Sequence, residues 1–138
     1  MERLRVVVAD DHLEMLSTLV SVIEDDPRFA VVGMATTGQE AWQMASDGGA
    51  DLVLLDVNMP GGGTSAAEAL AALPDAPSVV AISAESGSRI VADMLSAGAV
   101  GYLTKGHLGD LLPELLWRCA HGEVTVIPPE VAGGPDRR

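Results

Sequence analysis

The sequence predicts an α/β fold, with a parallel sheet of five strands covered by helices on both faces. Three observations support this. Five short apolar runs alternate with segments whose apolar residues recur at helical spacing. The runs are apolar at nearly every position, as strands buried on both faces require. Acidic, hydroxyl and basic residues follow several of them, at the carboxyl ends where open parallel sheets bind ligands.

Leu4 to Ala9 (LRVVVA) is the first strand and stops at Asp10 and Asp11. Leu13, Leu16, Leu19, Val20 and Ile23 then share one face of a helix, with Glu14, Ser17, Thr18 and Ser21 on the other. The run Asp25-Asp26-Pro27 ends it. FAVVGMA, from Phe29 to Ala35, forms the second strand, and GQEAWQMA the second helix. DLVLL, from Asp51 to Leu55, is the third strand, followed by an alanine-rich helix from Ser65 to Leu73. SVVAIS and VGYLT supply the fourth and fifth strands. Between them, Ser86 to Ala97 places Ile90, Val91, Met94 and Leu95 on one side of a helix.

In the last helix Leu108, Leu111, Leu112, Leu115, Leu116 and Cys119 share a face. Asp110 is expected as its N-cap, which puts Pro113 in the first turn, where an amide has no intrahelical partner to lose. After Gly122 come Pro128, Pro129, Gly133, Gly134 and Pro135. Residues 1–123 are therefore expected to form one domain and 124–138 a linker or disordered tail. Trp42 and Trp117 are expected to cover core, and Cys119 to act as a small apolar residue.

A chain of 138 residues can bury one substantial core. Its 20 acidic residues against 8 basic ones give a net charge of -12, which repels phosphate backbones and argues against nucleic-acid binding by this chain alone. A single cysteine, no leader pattern and no apolar run of transmembrane length point to the cytoplasm.

The chemistry lies at the strand ends. Asp10 and Asp11 follow strand one, Asp56 follows strand three, Ser83 ends strand four, and Lys105 follows strand five. Asp10 and Asp11 alone would read as a helix N-cap pair, but Asp56 and Lys105 give them partners. Carboxylates crowded in one crevice repel by roughly 4 kcal/mol per pair at 4 Å and an effective dielectric of 20, so they call for a cation. Magnesium fits best, because it takes oxygen ligands and keeps waters that a phosphate oxygen can displace. His12 is expected as a partly exposed first-turn residue and not as a magnesium ligand. Lys105 can meet a phosphate, Ser83 can donate to one of its oxygens, and Gly61, Gly62 and Gly63 give a permissive loop beside the site. The set suits phosphoryl transfer onto a carboxylate.

In order along the chain, VVVADDH, DLVLLDVNMP, VVAISA and GYLTKG resemble the motifs of response-regulator receiver domains, the flavodoxin-like phosphoacceptor modules of two-component signalling. The resemblance covers Arg5 to about Glu123 and implies the strand order 2-1-3-4-5. It implies that Asp56 is phosphorylated by a histidine kinase, and that Asp11 and Asp56 bind magnesium directly. Asp10 would act largely through water, and Asn58 would contribute its backbone carbonyl. Ser83 would be the switch hydroxyl, Lys105 the phosphate-contacting lysine, and Tyr102 an aromatic whose ring turns inward on activation. The output would be partner binding or homodimer formation through the face made by helix 4, strand 5 and helix 5, with no enzymatic turnover beyond self-directed phosphotransfer and autodephosphorylation.

Two departures accompany the likeness. Gly106 follows Lys105 where many receivers carry proline, and a triple glycine replaces the common acidic pattern after Pro60. Other readings fit less well. A haloacid-dehalogenase-like phosphohydrolase would place a second acid two positions after its nucleophile, whereas here the acids are adjacent and His12 follows. A nucleotide-binding domain would carry a glycine-rich fingerprint after strand one, and none is present. A pseudo-receiver is disfavoured by the complete set of acids, Ser83 and Lys105.

Overall fold

In the computed structural model, residues 2–84, 87–105, 111–123 and 125–127 are described. They form strands β1 (Leu4–Ala9), β2 (Phe29–Ala35), β3 (Leu52–Asp56), β4 (Ser78–Ser83), β5 (Gly101–Thr104) and β6 (Thr125–Ile127). Five helices alternate with them: α1 (Leu13–Glu24), α2 (Gly38–Gly48), α3 (Thr64–Ala71), α4 (Ser88–Ser96) and α5 (Leu112–Ala120). The strands form one sheet in the order β2-β1-β3-β4-β5-β6, and every pairing is parallel. The predicted order 2-1-3-4-5 holds and is extended by one strand.

Strand side chains alternate between two cores, as the pleat requires. Val7, Ala9, Val53, Leu55, Val79, Ala81 and Tyr102 pack with Ala41 and Ala45 of α2, Ala66, Ala67 and Leu70 of α3 and Met94 of α4. Val6, Val8, Leu52, Leu54, Val80, Ile82 and Leu103 pack with Leu16, Leu19 and Ile23 of α1 and with Leu112, Leu115, Leu116 and Cys119 of α5. Helices α2, α3 and α4 therefore cover one face, and α1 and α5 the other. The first face is lined largely by alanine, so these helices approach the sheet closely with little side-chain entropy to lose.

Three expectations need correction. Leu13 and Leu111 share the apolar spacing of their helices, yet they are exposed at the helix starts. The segment after Glu123, read as linker or tail, supplies β6, which pairs Thr125 with Gly101, Val126 with Tyr102 and Ile127 with Leu103. The β-branched run TVI competes successfully with the neighbouring glycines and prolines, because the edge of β5 offers a ready backbone ladder. Helix α5 begins at Leu112 with Leu111 in the cap position, and Pro113 still falls harmlessly in its first turn. The expected cap Asp110, together with Leu108, Ser86, Gly106 and the tail 128–138, lies outside the described residues.

Two tryptophans behave as predicted. Trp42 packs against the first core. Trp117 packs against the second, edge-on to Phe29 and under the Arg28 guanidinium, 4.9 Å away. Arg28 also pairs with Asp26 at 2.8 Å and Glu114 at 3.3 Å, tying the start of β2 to α5.

Candidate functional site

Strand β1 lies between β2 and β3, so the direction in which successive strands are added to the sheet reverses at it. The carboxyl ends of β1 and β3 thus flank the topological switch point, where such sheets bind ligands. The backbone fixes each site residue there. The Asp10 amide donates to Ala35 of β2 at 3.0 Å, Val57 donates to Ile82 of β4 at 3.0 Å, and Lys105 donates to Ser83 at 2.8 Å. Asp10, Asp56 and Ser83 are buried, while Asp11 and Asn58 reach solvent.

Lys105 Nζ sits between two carboxylates, 2.9 Å from Asp10 Oδ2 and 3.2 Å from Asp56 Oδ2. The other oxygens meet backbone: Asp10 Oδ1 accepts from the His12 amide at 2.9 Å, and Asp56 Oδ1 from the Asn58 amide at 3.1 Å. The Asn58 side-chain amide donates to Ser83 Oγ at 3.1 Å, linking the loop after β3 to the end of β4. Burial, together with the Asp10 charge, pushes the Asp56 carboxyl above its ordinary pKa, against the opposing pull of the Asn58 amide and Lys105. Burial disfavours the Lys105 charge, but contacts with Asp10 and Asp56 outweigh it and raise the pKa of this lysine. Lys105 therefore stays protonated at neutral pH.

Among the described residues, Asp10, Asp11, His12 and Asp56 each offer one ligand atom, and these atoms lie within 4.8 Å of one another. Two like charges at that separation repel by about 3.5 kcal/mol at an effective dielectric of 20. Asp10 Oδ2 is fully buried, and the Lys105 ammonium at 2.9 Å is its one charge contact among the described residues. Three carboxylates and one ammonium leave two negative charges uncompensated, and one divalent cation would balance them. The donor set fits magnesium, a hard ion held by carboxylate and carbonyl oxygens.

The loop after β3 is held from below. Gly38, at the start of α2, donates its amide to the Pro60 carbonyl at 2.9 Å, and a Cβ on Gly38 would collide with the Gly61 carbonyl oxygen. Gly62 is equally confined, since a Cβ there would stand 2.5 Å from the carbonyl oxygen of Asp56. Of the three glycines expected to make this loop permissive, Gly61 and Gly63 take positive φ angles of 73° and 80°, and Gly62 is in addition required by close backbone approach. The start of α2 is itself fixed by Thr37, whose hydroxyl caps the Glu40 amide, and by Glu40, whose carboxylate accepts from the Thr36 amide.

The structure brings Asp10, Asp11, Asp56, Asn58, Ser83 and Lys105 together at one end of the sheet. Tyr102 pairs with Ala81, two positions before Ser83, and its ring is fully buried in the first core. Sequence reasoning missed two features. The Asn58 to Ser83 hydrogen bond joins residues 25 positions apart, and nothing local encodes it. His12, not either aspartate, occupies the N-cap of α1, and its ring makes no capping bond. Its Nδ1 instead stands 3.4 Å from Asp11 Oδ1.

The family described as "Response regulator receiver domain" matches residues 6–116. The chain belongs to this receiver family. The receiver is 36% identical over 104 residues to the response regulator GacA of Pseudomonas viridiflava, covering 75% of this chain and 49% of that protein. It is 31% identical over 126 residues to a nitrate/nitrite response regulator protein homolog of Haemophilus influenzae, covering 91% of this chain and 61% of that one. Among solved structures, the signal receiver domain of the response regulator NarL from Mycobacterium tuberculosis superposes with a TM-score of 0.85 at 32% identity, covering 89% of this chain and 100% of that domain. The receiver spans about half to three-fifths of the length of these curated relatives. It is a signalling domain of the two-component response-regulator class. Among its described residues, no helix is long and apolar enough to cross a membrane.

Proposed function

We propose that this receiver accepts a phosphoryl group on Asp56 from the phosphohistidine of a histidine kinase, or from a small acyl phosphate, in the cytoplasm. An Asp56 carboxylate oxygen attacks phosphorus, the bond from phosphorus to the donor nitrogen or acyl oxygen breaks, and the donor leaves with that electron pair. The product is an acyl phosphate on Asp56, which water later hydrolyses without any outside substrate being turned over.

The observation that carries this reading is the placement of Lys105 Nζ 3.2 Å from Asp56 Oδ2, with Asp10 and Asp11 alongside. The lysine offsets charge where the incoming phosphoryl oxygens gather. Asp10, Asp11, Asp56 and the Asn58 carbonyl are the residues that would hold magnesium. When bound, the ion would neutralise the crowded carboxylates and stabilise charge on the transferred group. Ser83, which accepts from Asn58, would donate its hydroxyl to a phosphoryl oxygen.

Drawing Ser83 towards that oxygen would break its bond with Asn58 and disturb the packing of β4 against β5, and so the α4–β5–α5 face. Tyr102, inside that packing, would report the change. The output is binding of a partner or a second copy through this face, to which β6 adds an edge. Intact-mass measurement after acetyl phosphate treatment with magnesium tests the acceptor: wild type should gain one phosphoryl mass and Asp56→Asn none. Equal gain in both proteins would overturn the assignment.

A further inference from the structure

The ring of His12 serves neither the helix nor the core. It sits at the N-cap of α1 with extended backbone, makes no side-chain cap, and is largely exposed. Only its backbone is committed: the amide donates to Asp10 Oδ1, and the carbonyl accepts from Leu16. The ring nevertheless turns towards the acidic crevice, with Nδ1 3.4 Å from Asp11 Oδ1 and 3.7 Å from Asp10 Oδ1. One nitrogen and three carboxylate oxygens can thus converge within 4.8 Å of one another. At the same place Asp10 Oδ2 is fully buried and, among the described residues, meets only the Lys105 ammonium at 2.9 Å, so one positive charge faces three carboxylates.

Magnesium gains little from an imidazole, because it prefers oxygen and gives up its waters reluctantly. A borderline d-block cation behaves differently. Zinc binds neutral imidazole and carboxylate together, and readily takes three protein ligands with one position open. We infer that His12 makes the crevice a mixed nitrogen and oxygen site that takes zinc-class divalent cations through the imidazole Nδ1, in competition with magnesium. The inference rests on reading the crevice as the cation pocket of the phosphorylation site. It assigns His12 a ligand role only for the d-block ion. Magnesium, held by oxygen alone, should be indifferent to the ring.

The test titrates the wild-type receiver and His12→Ala separately with zinc and magnesium chloride at pH 7.5, where imidazole is largely neutral. Calorimetry gives the affinities, and imidazole nitrogen chemical shifts distinguish His12 from His107 and His121. In wild type, zinc should move the His12 ring signal while magnesium leaves it in place. His12→Ala should weaken zinc by at least about tenfold, since even losing a group that only supports a ligand costs 10- to 100-fold. Magnesium affinity should stay within about twofold.

An unmoved His12 signal at zinc saturation, or equal zinc affinity in the two proteins, would overturn the inference while leaving the phosphorylation site intact, provided magnesium still binds. Zinc binding through His12 without any magnesium binding would support the inference and count against magnesium as the cofactor. Failure of both ions in wild type would overturn both. His12 is exposed, so its replacement leaves the fold undisturbed and either result interpretable.

Discussion

Replacing Lys105 with methionine removes a charge but keeps most of the side-chain volume, leaving Asp10 and Asp56 buried side by side. At 2.9 and 3.2 Å and an effective dielectric of 20, the two lost attractions are gross terms of about 6 and 5 kcal/mol. The observed loss must be smaller, because a carboxylate under such pressure takes up a proton instead. Protonating a group of ordinary pKa about 3.9 costs about 4 kcal/mol at pH 7 and about 1.5 at pH 5. Those costs cap the effect, and they agree with the 3–5 kcal/mol typical of breaking a buried pair. Without divalent cations, Lys105→Met should therefore lose about 2–4 kcal/mol at pH 7 and less than about 1.5 at pH 5. Magnesium, which restores positive charge, should stabilise the variant more than it stabilises wild type. Urea unfolding at both pH values, with and without magnesium, measures all three terms. A loss independent of pH and magnesium would show that Lys105 acts through packing and not through charge.

The Asp56 carboxyl is pushed above its ordinary pKa, first by burial and then by Asp10. A raised carboxyl contributes stability fully below its unfolded pKa and loses it as pH rises through the folded value. Asp56→Asn should therefore have a higher thermal midpoint than wild type at pH 7 without metal, and the two midpoints should converge below the ordinary carboxylate range. Gly62→Ala should cost about 1–3 kcal/mol, as overpacking does, and slow labelling by acetyl phosphate, because its new Cβ meets the Asp56 carbonyl oxygen at 2.5 Å. Denaturation and timed mass spectra check these two effects. Ser83→Ala should still be labelled, but should show smaller amide shifts across Ser88–Ser96 and Leu112–Ala120 than wild type with beryllofluoride. Equal shifts in both proteins would remove Ser83 from the switch.

The sequence pattern was legible wherever burial and backbone periodicity agreed. Strands β2 and β4 fall where their apolar runs begin and end, since each run is bounded by residues that cannot extend a buried ladder. Polar residues at strand ends were legible for a topological reason: parallel strands carry all their carboxyl ends to one side. Features that depend on distant neighbours were not. Leu13 has core spacing but is exposed at the first position of α1. Gly38 looks like any helix start until the loop carrying Gly61 is laid against it. The strand Thr125–Ile127 was hidden by the prolines and glycines beyond it, because a short strand owes its existence to the open edge of β5 more than to its own composition. Ligand preference alone excludes the His12 ring from a magnesium site, and its placement beside Asp11 depends on the turn of the chain into α1.

The central claim is that one particular carboxylate among three crowded ones carries the phosphoryl group. Reductive trapping tests it directly, because borohydride converts an aspartyl phosphate to homoserine at the modified position. The receiver is treated with acetyl phosphate and magnesium, reduced, digested, and its peptides sequenced by mass spectrometry. Homoserine is predicted at position 56 and nowhere else, and its yield should fall when magnesium is withheld. Homoserine at position 10 or 11, or an unmodified Asp56 in a protein that has gained phosphoryl mass, would contradict the account.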